Sequence, residues 1–261
     1  MRPGFRQRAA MVATLVRREV LKLRSERARI FGLVAQPIVL WIVFSFGFDA
    51  GFGSSPLPQS QGDFFAYFFP GVVVMTILFG SVFASMTIIE DRSGGFLQGA
   101  MAAPSPAWVI MLGKSLGVMT VVLLQAAVVC LVGALMLGKS WDFDPMALLA
   151  WSMLSTFALV PANLAVALYL NSTQAFHGFM GVVLFPAWAF SGALFPMQGT
   201  LLGAVALANP LTYMVTGLRS SFIATDSGFA SPAVGPLLLV AIGIFGLVAA
   251  TVSLRRTAHS L

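Results

Sequence analysis

Charge is scarce in this chain. Asp, Glu, Lys and Arg together make up 9% of 261 residues, and none occurs from Pro145 to Leu218. A soluble fold of this size needs a solvated exterior that so few charges cannot cover, so the surrounding solvent is lipid. Cysteine is equally rare: Cys130 stands alone, which excludes a disulfide framework and leaves a buried apolar thiol. The two histidines, His177 and His259, lie far apart without an HExxH partner, so no metal site is written here. The apolar stretches contain no ionisable group at mid-depth, where intramembrane proteases and proton-driven carriers usually expose one. No long-period repeat and no inverted symmetry between the halves is visible.

What is abundant is apolar sequence. A membrane helix needs about 20 predominantly apolar residues. Six runs qualify: Ile30 to Phe48, Phe64 to Ile89, Ser115 to Leu137, Met146 to Leu170, Gly178 to Phe195 and Ala233 to Leu254. They are apolar on all sides and lack the roughly ten-residue alternation of a transmembrane barrel. The expected fold is therefore all-α, with six transmembrane helices in residues 30–254.

Positive charge sets the orientation. Nine of the fifteen Lys and Arg residues fall between Arg2 and Arg29; Arg92, Lys114, Arg255 and Arg256 lie on segments of the same side. Only Lys139 and Arg219 fall on the other. The reading is a multi-pass protein of the cytoplasmic membrane with both ends in the cytosol. The net charge of +6 then faces anionic lipid headgroups rather than nucleic acid. The first run is too long for a signal-peptide core and lacks a small-residue cleavage site, so it is expected to remain as a span.

Residues 1–29 carry Val12, Leu15, Val16, Val20 and Leu23 at helical spacing, with Arg17, Arg18, Lys22, Arg24 and Glu26 on the other sides. This predicts an amphipathic helix lying in the cytosolic interface, its apolar stripe in the acyl boundary. Residues 255–261 form a cytosolic tail. The outer region 196–232 has an apolar middle, Thr200 to Ala208, too short to cross the bilayer. Its break at Asn209-Pro210 predicts two short re-entrant or interfacial helices.

The string Gly133 to Ser140 matches the phosphate-loop pattern GxxxxGK[ST]. That motif needs a preceding strand and a following helix. Here its first six residues finish a span and Lys139 emerges outside, so the chain is expected to bind no ATP and to have no catalytic residues. The cytosolic segment 90–114 is more informative. Glu90-Asp91-Arg92 closes the second run; then come Ser93-Gly94-Gly95 and Phe96-Leu97-Gln98-Gly99-Ala100-Met101. Phe96, Leu97 and Met101 read as exposed apolar residues, a docking knob for a partner. Ser105 is positioned to cap a second short helix with Pro106 at its first position, reaching Met111.

The chain resembles the permease subunits of type-2 ABC transporters, the ABC-2 family. The likeness is carried by Phe69-Pro70-Gly71-Val72, Glu90-Asp91-Arg92, Gly95-Phe96-Leu97, Ala103-Pro104-Ser105 and Gly113-Lys114. It continues in Ser191-Gly192, Phe195-Pro196, Ala208-Asn209-Pro210-Leu211-Thr212-Tyr213 and Gly217-Leu218-Arg219. At Ser93-Gly94 the chain departs from a charged pair found in many members. The resemblance implies an exporter half: two permeases, copies of one another before a pair of similar subunits, with two cytosolic ATPase subunits that hold ATP and Mg. It implies an ATPase-coupling role for Glu90, Asp91, Arg92, Gly95, Phe96, Leu97 and Met101, and a re-entrant element around Asn209, Pro210 and Tyr213. The cargo would be a lipid, glycoconjugate, polysaccharide or drug. Its path would run between the permeases, along spans one, two and five.

Those spans are aromatic, which suits a hydrophobic or amphipathic cargo better than an ion. Trp41, Phe44, Phe68, Phe69, Phe185 and Trp188 are the candidate path residues; belt and packing roles account for such rings as well. Two other functional classes stay open at this point: a membrane anchoring or assembly subunit using the same loop, and an ion-driven carrier.

Overall fold

The computed structural model describes residues 4–25, 27–52, 64–102, 105–138, 143–170, 172–197, 202–222 and 234–259. Nearly all of these residues are helical, with no strand among them. The helices are α1 (Phe5–Ser25), α2 (Arg27–Phe52), α3 (Phe64–Ser93), α4 (Phe96–Ala102), α5 (Ala107–Leu137) and α6 (Pro145–Leu170). They continue with α7 (Thr173–Phe179), α8 (Phe185–Trp188), α9 (Gly203–Ala208), α10 (Pro210–Phe222) and α11 (Val234–His259). A π-helical segment, Met180–Leu184, joins α7 to α8, and a second, Ala189–Ala193, follows α8.

Five helical runs are long and apolar enough to cross a membrane: α3, α5, α6, the run Thr173–Ala193, and Val234–Arg256 within α11. Inside α2, which runs from Arg27 to Phe52, the stretch Phe31–Gly47 is apolar. Prolines 37, 70 and 161 lie within helices, as membrane helices tolerate when neighbours cover the freed carbonyls.

Helix α3 is the centre of the bundle. From Tyr67 to Val82 every residue is buried, and α2, α5, α6 and α10 pack around it. Small residues set the close approaches: a Cβ on Gly71 would lie 2.6 Å from the Cβ of Ala193, and one on Gly80 would lie 2.6 Å from Gln125 Oε1. Along the α6–α11 contact, Trp151 faces Gly235, Phe157 faces Gly243, and the backbone of Ala162 faces Gly246. Residue numbers rise together on both helices, so the two run parallel.

Two features differ from the sequence expectation. No separate helix spans Ser105 to Met111. Pro106 is the N-cap, with no side-chain capping bond, and α5 then runs unbroken from Ala107 through Lys114. Nothing between Met111 and Ser115 breaks a helix, because Gly113 is occupied by a packing neighbour. The stripe of α1 also turns inward: Leu15 is buried, with its side chain against Gly113 of α5, rather than facing lipid.

Candidate coupling site

The loop after α3 is built by two glycines. Gly94 N–H donates to the Glu90 carbonyl at 2.8 Å and Gly95 N–H to the Arg92 carbonyl at 3.2 Å, ending the helix. Gly95 has φ +76°, the left-handed region that a side chain would strain. The chain turns directly into α4, and Gln98 Nε2 fastens back on the Arg92 carbonyl at 3.1 Å. Helix α4 presents its residues unequally. Phe96 is partly exposed, whereas Leu97 is buried in the core. The expected knob of Phe96, Leu97 and Met101 is thus corrected at Leu97: one position further along a helix rotates a side chain by about 100°, and Leu97 faces the bundle. The Met101 side chain lies outside the described residues.

Beneath α4 lies a buried charge network that the sequence reading did not assemble. Asp91 receives both arms of Arg18, with Nη2 at 2.7 Å from Oδ1 and Nη1 at 3.1 Å from Oδ2. Lys114 Nζ donates to Asp91 Oδ2 at 2.6 Å, to Glu19 Oε1 at 2.8 Å and to Thr87 Oγ1 at 2.9 Å. Lys22 adds an ion pair to Asp91 at 3.5 Å and a longer one to Glu90 at 3.9 Å. Three cations thus meet three carboxylates. Glu19, Asp91 and Lys114 are buried, while Arg18 and Lys22 keep about 29% and 28% exposure. The bidentate pair is the strong form of this interaction. The hydrogen bonds of Asp91 raise the Arg18 pKa above its ordinary value against the lowering by burial, so the guanidinium stays charged.

Arg18 performs a second task. Its guanidinium carbon sits 3.6 Å from the ring centroid of Phe96, a cation–π stack. One side chain therefore connects α1, the end of α3 and α4, while Lys114 adds α5. Gly113 and Gly117 permit it: a Cβ at Gly117 would lie 2.7 Å from Glu19 Cγ, so α1 rests directly on α5. Glu90 is exposed apart from its Lys22 contact, and Arg92 contributes its carbonyl to the turn.

The candidate path residues divide. Trp41, Phe68, Phe69 and Trp188 are core residues within this chain and present no surface to a cargo. Trp41 Nε1 donates to the Phe65 carbonyl at 2.8 Å and stacks on Phe65 at 4.2 Å; Trp188 Nε1 donates to the Gly71 carbonyl at 2.9 Å. Indole N–H groups need such partners when buried, and these bonds hold α2 and α8 to α3. Phe44 and Phe185 remain exposed enough to face a neighbour.

The break at Asn209-Pro210 is as expected: α9 ends, Asn209 is extended and Pro210 opens α10. Asn209 Oδ1 accepts from Leu211 N–H at 3.0 Å, and its amide donates to the Ala187 carbonyl, pinning the pair of helices to α8. Tyr213 Oη donates to the Leu207 carbonyl at 2.9 Å across the break. Beside it, Gly192 takes φ +81° at the kink after α8. Its carbonyl accepts from Tyr67 Oη at 3.1 Å and from Arg219 Nη2 at 3.0 Å, with Arg219 stacked 4.0 Å over the Tyr67 ring. Of the phosphate-loop string, Lys139 and Ser140 lie outside the described residues.

Comparison with known proteins agrees with this architecture. Residues 11–223, which take in most of α1, the loop network and the α9–α10 break, match the ABC-2 type transporter family. Relatives carry the provisional name transport permease ycf38. That of Cyanophora paradoxa is 26% identical over 252 residues, covering 90% of this chain and 84% of its own length. That of Porphyra purpurea is 25% identical over 225 residues, covering 84% and 76%. The chain is a membrane protein that belongs to the ABC-2 type transporter family.

Proposed function

We propose that this chain is the permease subunit of an ATP-binding-cassette exporter. It pairs with a second permease, a copy of itself, and with two cytosolic ATPase subunits that bind ATP and Mg. The cargo is hydrophobic or amphipathic. The chain hydrolyses nothing itself; it converts movement of a docked ATPase into movement of helices. The protein sits in the cytoplasmic membrane with both termini cytosolic. In this reading the span of α2 completes six, and α1 within segment 1–29 lies along the cytosolic interface. Residues 30–254 form the permease domain, and α9–α10 within 196–232 re-enter from outside. Residues 90–114 form the coupling loop, and 255–261 the tail.

The observation that carries the reading is the double engagement of Arg18, paired with Asp91 and stacked on Phe96. A load applied to α4 passes through this side chain into α1 and α3, and through Asp91 to Lys114 and α5. A loop that only anchored a partner would need no such buried connection to two spans. Phe44 and Phe185, the exposed rings, are the residues proposed to face the cargo path.

The test is Phe96→Ala. A well-packed aromatic anchor at an interface contributes about 2 kcal/mol or more, roughly a thirtyfold loss of affinity. Aspartate is avoided here because it would pair with Arg18 and create a new contact. The variant should reach the membrane at normal levels, yet retain little ATPase in pull-down and lose transport in proteoliposomes. Wild-type pull-down together with wild-type transport would refute the coupling assignment.

A further inference from the structure

A groove of about 580 Å³ runs along the outside of the bundle between α6 and α11. One wall is Ala162, Ala165, Val166 and Tyr169; the other is Ile242, Gly246, Ala249 and Ser253, with Phe245 at the rim. Small residues recess the floor where the helices touch, and the larger ones form raised edges. From Ala241 to Ser253 the groove is about 18 Å long at the helical rise, close to the roughly 15 Å acyl depth of one leaflet.

The groove has a polar mouth at one end only. Tyr169 and Ser253 are its polar lining residues and lie at the same end, because α6 and α11 are parallel. On α11 the spacing Ile242, Gly246, Ala249, Ser253 alternates four and three residues. The next step along that face is Arg256, one turn beyond the groove, exposed and without an ion-pair partner among the described residues. Arg255, one residue earlier, falls on another face.

We propose that this groove holds one anionic phospholipid, an acyl chain between α6 and α11 and its phosphate against Arg256. The apolar length fits one leaflet's chain, and a cation at the mouth complements a negatively charged headgroup, as basic sites at helix ends do elsewhere. The inference is independent of the exporter's cargo.

The experiment is native mass spectrometry of the detergent-purified chain with phosphatidylglycerol, with phosphatidylcholine of the same acyl chains, and with glycerol phosphate. Wild type should retain phosphatidylglycerol about fivefold over phosphatidylcholine, the worth of one nearby cation. Glycerol phosphate should not bind. Arg256→Gln should abolish the preference, Arg255→Gln should keep it, and Ala249→Leu should reduce retention of both lipids by filling the groove. Equal losses in both arginine variants would reduce the effect to diffuse surface charge and overturn the site. So would unchanged retention in Ala249→Leu, binding of glycerol phosphate alone, or a change of oligomeric state in Ala249→Leu, which would put a second copy in the groove.

Discussion

Replacing Lys114 by Met probes the buried network directly. Lys114 Nζ touches Asp91, Glu19 and Thr87 within 2.9 Å, and both carboxylates are buried. With Lys114 present, three cations face three carboxylates; without it, Arg18 and Lys22 alone must neutralise Glu19, Glu90 and Asp91. Glu19 suffers most, since its remaining cation is Arg18 at 3.2 Å, already shared with Asp91. Breaking a buried pair by deleting one partner costs about 3–5 kcal/mol. Arg18 and Lys22 stay partly hydrated and can readjust, so the lower figure applies, about 3 kcal/mol. That is roughly a hundredfold in the equilibrium for lifting α1 off α5. Amide hydrogen exchange of α1 in detergent reads this quantity, and exchange should accelerate by that factor while α11 is unaffected. The double variant Glu19→Gln with Lys114→Met removes one charge of each sign and should recover to within about tenfold of wild type, because the two changes share one interaction. A change below threefold in Lys114→Met, or a double variant worse than either single one, would refute the reasoning.

Gly117→Val should loosen the same contact by a different route: its Cβ would meet Glu19 Cγ at 2.7 Å, and overpacking costs about 1–3 kcal/mol, seen as faster α1 exchange with the charges intact. Asn209→Ala should lower the melting temperature by removing the cap to Leu211 and freeing the Ala187 carbonyl, at about 1–2 kcal/mol. Asn209→Asp should retain the cap but turn a carboxylate oxygen on the Ala187 carbonyl, acceptor against acceptor, and so lower the melting temperature at least as far as Asn209→Ala.

Apolar length was the most readable property of the chain. A charge-free run of more than twenty residues has no soluble alternative, and α3, α5, α6 and α11 follow from that alone. The break at Asn209-Pro210 was readable for a local reason, since an Asx acceptor followed by proline opens a helix whatever surrounds it. What stayed hidden were pairings between segments distant in sequence. Leu97 looked exposed because a loop residue has no assigned face until α4 is placed against α3. Trp41 and Trp188 looked like cargo contacts because an aromatic residue on an apolar helix reads the same whether it faces lipid, cargo or a carbonyl of the next helix. Yet the charge network left two signs. Glu19 stands on the α1 stripe, four residues after Leu15 and three after Val16, where a carboxylate has no place in an acyl layer. Gly113 and Gly117 flank Lys114 in a GxxxG spacing, the pattern that lets another helix approach closely. Together they demand that the stripe of α1 face protein, that its acid meet a cation, and that Lys114 be this cation. The lesson lies in the misplaced charge: one carboxylate on an apolar face locates its partner helix better than the apolar residues around it.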